Sequence, residues 1–349
     1  MRLEPVADPT LARTVLPPVA AGIFTVVVGM ALAWVAGGEP LSVMGEIVEG
    51  AVGSRFALLE TLNRATPLIF TGLAVAVAFR AKLWNIGAEA QLYAGALMTV
   101  VLATGALAWP GWLLIPATAL AAIAAGALCL VWAAWAKVRL GVDEVVTTLL
   151  FNFVMLLIVS MLLEGPLKDP MGMGWPKSER IVADARLPRI ADGLRLHWGF
   201  GVALLCAAAI WFVQARTTWG FEIRAVGASL PAARFAGIPV TATIIRTAVL
   251  SGGLAALAGW SEVAGSKGAL TLDLSPGYGY TGIVVAMLAL LHPLGVVATA
   301  LLAAGVFVGA DAMSRSAGVP SYVADILLAT ALLATVLALL LTRYRVRRG

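Results

Sequence analysis

The sequence predicts an all-α polytopic membrane protein with about ten transmembrane helices in two half-related bundles. Of its 349 residues, 61% are hydrophobic and only 12% are charged, whereas soluble domains carry about 25% charged residues. The apolar residues form separate long runs, too many for one soluble core, and the mean hydropathy is +0.95. The basic residues stand at the ends of these runs, so the net charge of +5 indicates a bilayer rather than a nucleic acid as partner.

The apolar runs define one membrane domain between short polar ends. We expect a cytoplasmic N-terminus at 1–14, a transmembrane domain at 15–342 and a basic cytoplasmic tail at 343–349. The predicted spans are 15–35, 66–79, 86–104, 112–136, 145–163, 197–214, 244–263, 280–291, 294–312 and 322–341, with an external amphipathic segment at 40–65. With both termini inside, the inner segments hold most basic residues, as the positive-inside rule requires. The loop 164–196 is then external, and the loop 215–243 is cytoplasmic.

The cytoplasmic loop contains a very short helix with signals at both ends. Ser229 can cap its N-terminus, and Pro231 fits the first turn, where a missing N–H costs nothing. Gly237 can adopt the left-handed conformation that ends a helix, and Pro239 prevents continuation. The helix 230–236 is too short to be stable alone in water. We therefore predict that it docks on a partner protein and receives force from it.

Two predicted spans are too short to cross a bilayer. The segments 66–79 and 280–291 would reach only about 20 Å as helices, against a hydrocarbon core of about 30 Å, and Arg64 and Pro67 limit extension of the first. A similar Thr-Gly-apolar pattern occurs at 71–76 and at 281–286. Short segments at corresponding positions of two halves point to a transport pathway. Chance similarity between apolar, Gly-rich segments is the alternative.

Polar and aromatic residues near the ends of spans are candidates for a substrate pathway. Asn85 and Glu89 fall near one face at helical spacing, and Thr148 and Asn152 are four residues apart. Polar groups at membrane depth are costly unless they face protein or water, so either a pathway or a hydrogen-bonded knot between helices explains them. The full candidate set is Asn85, Glu89, Gln91, Thr148, Phe151, Asn152 and Tyr280.

Several site classes are not predicted. The stretch Gly265-Ser266-Lys267 lacks the spacing of a phosphate loop, so we expect this chain to bind no ATP and no other cofactor. His197 and His292 have no metal-ligand spacing around them, and Cys129 and Cys206 lie inside apolar runs. We therefore expect no catalytic residue and no metal site.

A series of motifs in fixed order resembles a known family. They are 66–73 (TPLIFTGL), 85–91 (NIGAEAQ), 141–148 (GVDEVVTT), 165–170 (GPLKDP), 220–227 (GFEIRAVG), 232–238 (AARFAGI) and 275–282 (SPGYGYTG). The series resembles the permease subunits of bacterial ABC importers of the ribose and branched-chain amino acid type, most of all the simple-sugar and nucleoside permeases. The chain departs from that pattern at Ala90, where the family usually has Gly, and at Asp143, where it usually has Asn.

The resemblance implies a function and a set of partners. It implies a multi-pass protein of the bacterial plasma (inner) membrane that moves a nucleoside or simple sugar inward by alternating access. The partners would be a second permease subunit in a heterodimer, a cytoplasmic ABC ATPase that uses the ATP, and an extracytoplasmic solute-binding protein. The short cytoplasmic helix would be the coupling helix, with contacts to the ATPase from Arg224, Gly227, Leu230, Ala233, Arg234 and Gly237.

The residues alone also allow a self-contained secondary transporter. In that alternative, Glu89, Glu262 or Asp311 would carry protons. An intramembrane hydrolase fits less well, because no His pair, Gly-x-Ser-x-Gly motif or paired catalytic carboxylates occur in the sequence.

Overall fold

The computed structural model describes residues 2–5, 11–105, 109–190, 195–318 and 321–347. These residues are helical apart from short terminal strands and the loops. The helices are α1 (Leu11–Val35), α2 (Pro40–Val52), α3 (Arg55–Arg80), α4 (Ala88–Ala103), α5 (Gly111–Leu140), α6 (Glu144–Glu164), α7 (Gly199–Arg216), α8 (Thr218–Ala228), α9 (Leu230–Phe235), α10 (Val240–Ser261), α11 (Tyr278–Leu288), α12 (Pro293–Ala317) and α13 (Val323–Arg343). A π-helical turn, Glu262–Lys267, extends α10, and a 3-10 turn, Ala183–Ala185, lies in the loop after α6.

The chain divides into two compact units. The first comprises Met1–Thr61 and Leu302–Gly349. In it, α1 packs against α13, and the strands β1 (Arg2–Pro5) and β2 (Tyr344–Arg347) pair antiparallel. The chain bends by 113° between α1 and α2, so together they form either a broken span or a re-entrant loop.

The second unit, Leu62–Leu301, has α10 at its centre, packed against α4 and α5. Small residues allow these backbones to touch. A Cβ on Gly126 of α5 would lie 2.4 Å from the carbonyl oxygen of Gly252 on α10, and one on Gly95 of α4 would lie 2.2 Å from that of Ala256. Small residues at helix contacts are typical of membrane bundles, where close van der Waals packing replaces the hydrophobic drive of water.

The structure corrects the prediction of a short second span. Residues 55–65, assigned above to an external amphipathic segment, continue directly into the apolar run, so α3 has 26 residues and passes through Pro67. At about 39 Å, this helix is long enough to cross a bilayer. Its most apolar window is 89% buried inside the protein, so its polar residues meet protein groups rather than lipid. Asn63 Nδ2, for example, donates to Ser266 Oγ at 3.4 Å.

The other predicted short span is confirmed as a short helix. α11 has 11 residues, about 17 Å. The repeated pattern lies where α11 meets α3, because a Cβ on Gly282 would lie 2.6 Å from Thr71 Oγ1. The relation between two halves stays a prediction.

Six described helices are long and apolar enough to cross a membrane, or up to seven if the bent pair is one span. Three shorter apolar helices are Ala88–Ala103, Tyr278–Leu288 and Asp325–Ala338. The structure thus supports a multi-pass helical protein, and the ten-span count stays a prediction.

Candidate functional site

The polar residues predicted around Asn85 meet in one buried cluster of the second unit. Asn85 Nδ2 donates to Gln91 Oε1 at 2.9 Å, and Gln91 Nε2 donates to Asn85 Oδ1 at 2.8 Å. Asn85 Nδ2 also donates to Ser251 Oγ at 3.0 Å, and Ser251 donates to the Ala74 carbonyl at 2.7 Å. Because the Gly87 N–H donates to Asn85 Oδ1 at 3.0 Å, both polar atoms of this fully buried side chain are engaged.

The α6 residues Thr148 and Asn152 hold the turn between α3 and α4. Thr148 Oγ1 accepts a bond from the Ile86 N–H at 3.2 Å, and Asn152 Nδ2 donates to the Ile86 carbonyl at 3.0 Å. Asn152 Oδ1 accepts from the Ala90 N–H at 2.9 Å, and its Nδ2 also donates to Tyr280 Oη at 3.1 Å. The predicted four-residue spacing therefore does place both side chains on one face, against α4.

Glu89 connects α4 to the start of α11. Its Oε2 accepts a hydrogen bond from the Gly279 N–H at 2.6 Å, and the Ser275 hydroxyl bonds to the same carboxylate. A Cβ on Gly279 would lie 2.2 Å from the Glu89 nitrogen, so only glycine allows this approach. One turn further along α4, Tyr93 Oη donates to the Leu272 carbonyl at 2.6 Å. Two buried side chains of α4 thus hold the segment that precedes α11.

Two members of the candidate set keep accessible surface. Tyr280 is 40% exposed. Phe151 is half-buried, with its ring centroid 6.0 Å from that of Trp132. The other five candidates are buried and hydrogen-bonded within the protein. The arrangement cross-links α4, α6, α10 and α11, and it offers hydrogen bonds and an aromatic face rather than acid–base or nucleophilic chemistry. Among the residues that the structure describes, no group of three or more His, Cys, Asp or Glu could hold a metal ion.

A partly buried ion pair beside this cluster was not predicted from the sequence. Lys137 of α5 pairs with Glu144 of α6, and Lys137 Nζ also donates to the Lys82 carbonyl at 2.8 Å. The Glu144 carboxylate in turn accepts from the Trp84 N–H at 3.2 Å. From the sequence, Glu144 suits the positive end of the helix dipole of α6, which is a sufficient structural reason for it. The sequence signal that could have revealed the pair is Gly141. This glycine ends α5 in the left-handed region, with a φ of 69°, so the last turn of α5 and the first turn of α6 are only a short connection apart.

The second candidate site is the loop that contains α8 and α9. α8 packs tightly on the end of α3, because a Cβ on Gly227 would lie 1.8 Å from the Arg80 carbonyl oxygen. The Arg224 guanidinium donates to the carbonyl of Gln214 in the last turn of α7. Of the predicted coupling residues, Arg224 and Gly227 therefore brace the loop against the protein's own helices.

The helix α9 forms where the sequence predicted it. Ser229 Oγ accepts a bond from the Ala232 N–H at 3.4 Å, which caps the N-terminus. At the other end, the Ile238 N–H bonds to the Ala233 carbonyl at 3.0 Å across Gly237, whose φ is +78°. This is the left-handed helix end that glycine favours.

One side of α9 is packed and the other is open. Ala233 faces inward with 3% exposure. Leu230 is 36% exposed, Phe235 is 97% exposed, and Arg234 is also exposed. An exposed Phe beside an Arg is the kind of anchor found in protein interfaces. Of the predicted coupling residues, Leu230, Arg234 and Gly237 thus lie on accessible surface.

The long loop after α6 packs on the segment that follows α10. Ser178 and Leu270 exchange two hydrogen bonds, from the Ser178 N–H to the Leu270 carbonyl at 2.9 Å and from the Leu270 N–H to Ser178 Oγ at 2.8 Å. The Ile181 N–H donates to the Gly268 carbonyl at 3.0 Å. The described part of this loop is therefore an ordered structure fixed to the end of α10.

His197 closes this loop as a buried residue. A Cβ on Gly265 would lie 2.3 Å from its ring, so the π-helical turn packs directly on the imidazole. His197 Nδ1 accepts from the Gly199 N–H at 3.1 Å, and Nε2 lies 3.4 Å from Ser266 Oγ. Burial lowers the pKa of His197 to about 4, so the ring is neutral at physiological pH.

These features define a class of protein, a multi-pass helical membrane protein with a buried polar cluster and an exposed, capped helix on a loop. The sequence matches the family described as branched-chain amino acid transport system / permease component over residues 57–337. The chain belongs to this family, and it is a transport permease.

Full-length relatives are similar to this chain along most of its length. The glucose ABC transporter permease protein TsgB13 of Haloferax volcanii is 35% identical over 370 residues, covering 100% of this chain and 96% of the relative. The guanosine ABC transporter permease protein NupP of Bacillus subtilis is 36% identical over 325 residues, covering 91% and 92%. The nucleoside ABC transporter permease protein NupB of Lactococcus lactis is 29% identical over 325 residues, covering 91% and 89%.

Proposed function

We propose that this chain is the permease subunit of an ABC importer that moves a nucleoside or simple sugar inward. A separate cytoplasmic ATPase supplies the energy, a second permease subunit completes a heterodimer, and an extracytoplasmic solute-binding protein delivers the substrate. The chain itself binds no ATP or other cofactor and catalyses no covalent step. The names of the three relatives above, which are glucose, guanosine and nucleoside permeases, support this substrate class.

The proposed topology has ten spans with both termini in the cytoplasm. The six long helices, the bent pair α1–α2 and the three shorter apolar helices together make this number. Basic residues support the orientation, because Arg80, Lys82, Lys137 and Arg139 all lie at helix ends that this topology places inside. In the same topology, α8 and α9 lie in the cytoplasm and the loop 164–196 lies outside.

The observation that carries the proposal is the exposed surface of α9. A six-residue helix is not stable by itself, and this one is fixed by its cap, by Ala233 and by α8. The protein thus maintains a rigid helix whose Phe235 is 97% exposed. A permease that has no nucleotide site of its own needs an exposed surface on which an ATPase can bind and transmit its motion. A secondary transporter needs no such surface and is not favoured.

We further propose that substrate passes along the accessible surfaces of Tyr280 and of Phe151. Their rings offer stacking surfaces for a base or a sugar face. Asn85, Glu89, Gln91, Thr148 and Asn152 would act behind this surface, because their polar atoms already bond within the protein. A change in this hydrogen-bonded cluster would then accompany the switch between outward-facing and inward-facing states.

The test is uptake of radiolabelled nucleosides and sugars by vesicles that contain the assembled transporter. Phe235→Ser and Arg234→Glu should reduce ATP-driven uptake at least tenfold and weaken binding of the ATPase, while membrane insertion is unchanged. Phe235→Leu is the matched control, which keeps an apolar anchor and should retain most activity. Normal uptake by Phe235→Ser would refute the role of α9. Accumulation by the chain alone on a proton gradient would refute the proposed function.

A further inference from the structure

The loop after α6 carries a rigid hairpin, residues 169–177, which we name the apolar hairpin. Its ends are joined twice: the Asp169 N–H donates to the Lys177 carbonyl at 2.9 Å, and Asp169 Oδ2 lies 3.2 Å from Lys177 Nζ. The Met171 N–H donates to Asp169 Oδ1 at 2.9 Å. The pKa of Asp169 is lowered, mainly by the hydrogen bond from the Met171 N–H and further by the nearby Lys177. These bonds fix the backbone of the hairpin.

The hairpin is also fixed to the body of the protein. Lys177 forms an antiparallel bridge with Thr271, and the adjacent Ser178 exchanges two hydrogen bonds with Leu270. The segment that holds the hairpin continues to Leu272, whose carbonyl accepts the Tyr93 hydroxyl. The hairpin is therefore joined to α4 by a short chain of hydrogen-bonded residues.

The tip of the hairpin presents three large apolar side chains at alternate positions. Met171 is 85% exposed, Met173 is 103% exposed and Trp175 is 67% exposed. Met173 has a φ of 49° and Gly174 one of +85°, so the turn between them uses the left-handed region, which is unusual for methionine. Exposed apolar groups on a fixed backbone have a cost in water, and they are typical of interaction sites.

We propose that the tip of the apolar hairpin is a docking point for the extracytoplasmic solute-binding protein, and that Met171, Met173 and Trp175 insert into an apolar recess on it. This inference rests on the proposed function, which places the loop outside the membrane. Met and Trp suit this role, because methionine adapts to irregular surfaces and tryptophan is enriched among interface residues that carry binding energy. The preformed backbone reduces the ordering cost of binding.

The exposed area favours a transient protein partner over a permanent one. From the exposed fractions, the three side chains offer on the order of 500 Å². A standard interface buries about 800 Å² on each partner, and transient complexes lie at the low end of the range. The hairpin therefore supplies a main part of a weak, reversible contact. A protein that binds and dissociates in each transport cycle requires such a contact. A stable contact between two copies of the chain needs more surface.

The charges of the hairpin do not favour the membrane as its occupant. Lys177 is paired with Asp169, so it provides little attraction to anionic lipids. Segments that lie on membranes typically combine apolar residues with unpaired basic ones. Of the three tip residues, only Trp175 belongs to the types enriched at membrane interfaces.

The first experiment measures ATP hydrolysis by the assembled transporter in nanodiscs, as the solute-binding protein that supports uptake is titrated in. The variant replaces Met171, Met173 and Trp175 by Ser. We expect basal hydrolysis to be unchanged and the half-maximal concentration of binding protein to rise at least tenfold, as loss of interface anchors predicts. The control is Ile190→Ser, which changes an apolar residue in the same loop that is 44% exposed and should leave the titration unchanged.

The outcomes separate this inference from the proposed function. If no solute-binding protein stimulates the wild-type transporter, the proposed function fails and this inference fails with it. If the wild type and the triple variant are stimulated at the same concentration, the inference alone is overturned. Met173→Ser, a single change at a fully exposed position, repeats the test should the triple variant be poorly expressed, and it should shift the titration in the same direction.

The second experiment locates the tip directly. Cys129 and Cys206 are replaced by Ser, Met173→Cys is introduced, and the thiol is labelled with bimane, whose emission shifts to the blue in apolar surroundings. We expect the shift when the solute-binding protein is added to the reconstituted transporter. A shift on reconstitution into vesicles of phosphatidylethanolamine and phosphatidylglycerol without that protein would assign the tip to the membrane. A shift on assembly with the second permease would assign it to that subunit. Either of these results, or no shift at all, overturns the inference.

Discussion

Replacing Asn85 by Leu should destabilise the protein about twice as much as replacing Gln91 by Leu. The Asn85 side chain makes four hydrogen bonds, two with Gln91, one with Ser251 and one with the Gly87 N–H. At about 1 kcal/mol for each bond, its loss costs about 4 kcal/mol. Gln91→Leu removes only the two shared bonds and should cost about 2 kcal/mol.

The double variant tests the reasoning, because both single changes remove the same two bonds. We expect it to cost about 4 kcal/mol, which corresponds to a coupling energy of about 2 kcal/mol between Asn85 and Gln91. The measurement is reversible unfolding in mixed micelles, followed by circular dichroism as the fraction of denaturing detergent rises. The purified protein should remain helical in all three variants.

A double variant that costs about 6 kcal/mol, the sum of the single changes, would refute the paired geometry. Variants with unchanged stability but reduced uptake would refute the interpretation of Asn85 and Gln91 as a structural cross-link, and they would assign both residues to direct contact with substrate. The cycle therefore also decides between the two explanations that the sequence left open.

Three further predictions follow from close contacts. Gly227→Val should prevent α8 from packing on α3, because even a Cβ would lie 1.8 Å from the Arg80 carbonyl oxygen. ATP hydrolysis should then no longer drive uptake. A variant in which hydrolysis still drives normal uptake would disprove the contact. Lys137→Met should lower the free energy of unfolding by about 3 kcal/mol, because it leaves the Glu144 carboxylate buried without its cation. Adding Glu144→Leu to this variant should recover stability, as measured in a melt. A double variant that is no more stable than Lys137→Met alone would contradict this. Burial lowers the pKa of His197 from 6.5 to about 4. The contribution of this residue to stability is therefore complete above pH 6.5, and it decreases by about 1.4 kcal/mol per pH unit as the pH falls toward 4. His197→Gln should lose this pH dependence in melts at pH 7.5 and 5, and an unchanged pH dependence would exclude His197 as its source.

The sequence predicted best where local chemistry decides the structure. The cap at Ser229 and the left-handed Gly237 both belong to signals that act within a few residues, and α9 has the predicted position. The N-cap of α6 is a local signal of the same kind that was not predicted: the Asp143 carboxylate accepts from the Val145 N–H at 2.8 Å. The family was also identified correctly, because a series of motifs in fixed order is far more specific than any single one.

The prediction was wrong where tertiary burial overrides local rules. Pro67 removes one hydrogen bond of a helix, and Arg64 would be costly in lipid, so both were expected to end the span. α3 continues through them because it is buried in the protein, where polar residues can find protein partners. Hydropathy patterns assume a lipid environment, and they cannot show which helix lies at the centre of a bundle.

The polar cluster was predicted as a set of residues, but not as a set of contacts. The spacing of Thr148 and Asn152 correctly gave one face of a helix, since that is a property of a single element. The partners of this face, Ile86 and Ala90, come from another helix and the turn before it. The bond from Asn85 to Ser251 joins residues far apart in the chain. Only the packing of α4 against α10 brings such residues together, and no local pattern encodes it.

Under the proposed function, the contact of Gly227 with the end of α3 limits how far a mechanical signal would have to travel. Arg80, which Gly227 touches, is the last residue of α3, and the turn that follows leads to Asn85 five residues later. In this stretch, the Leu83 N–H bonds back to the Ala78 carbonyl of α3 at 3.1 Å, so the connection is a tight turn rather than an extended loop. A displacement of α8 would thus reach the polar cluster through one turn of backbone. Under the proposed function, the end of α3 that contacts the force-receiving loop therefore lies five residues before Asn85, the start of the cluster that would change its hydrogen bonds.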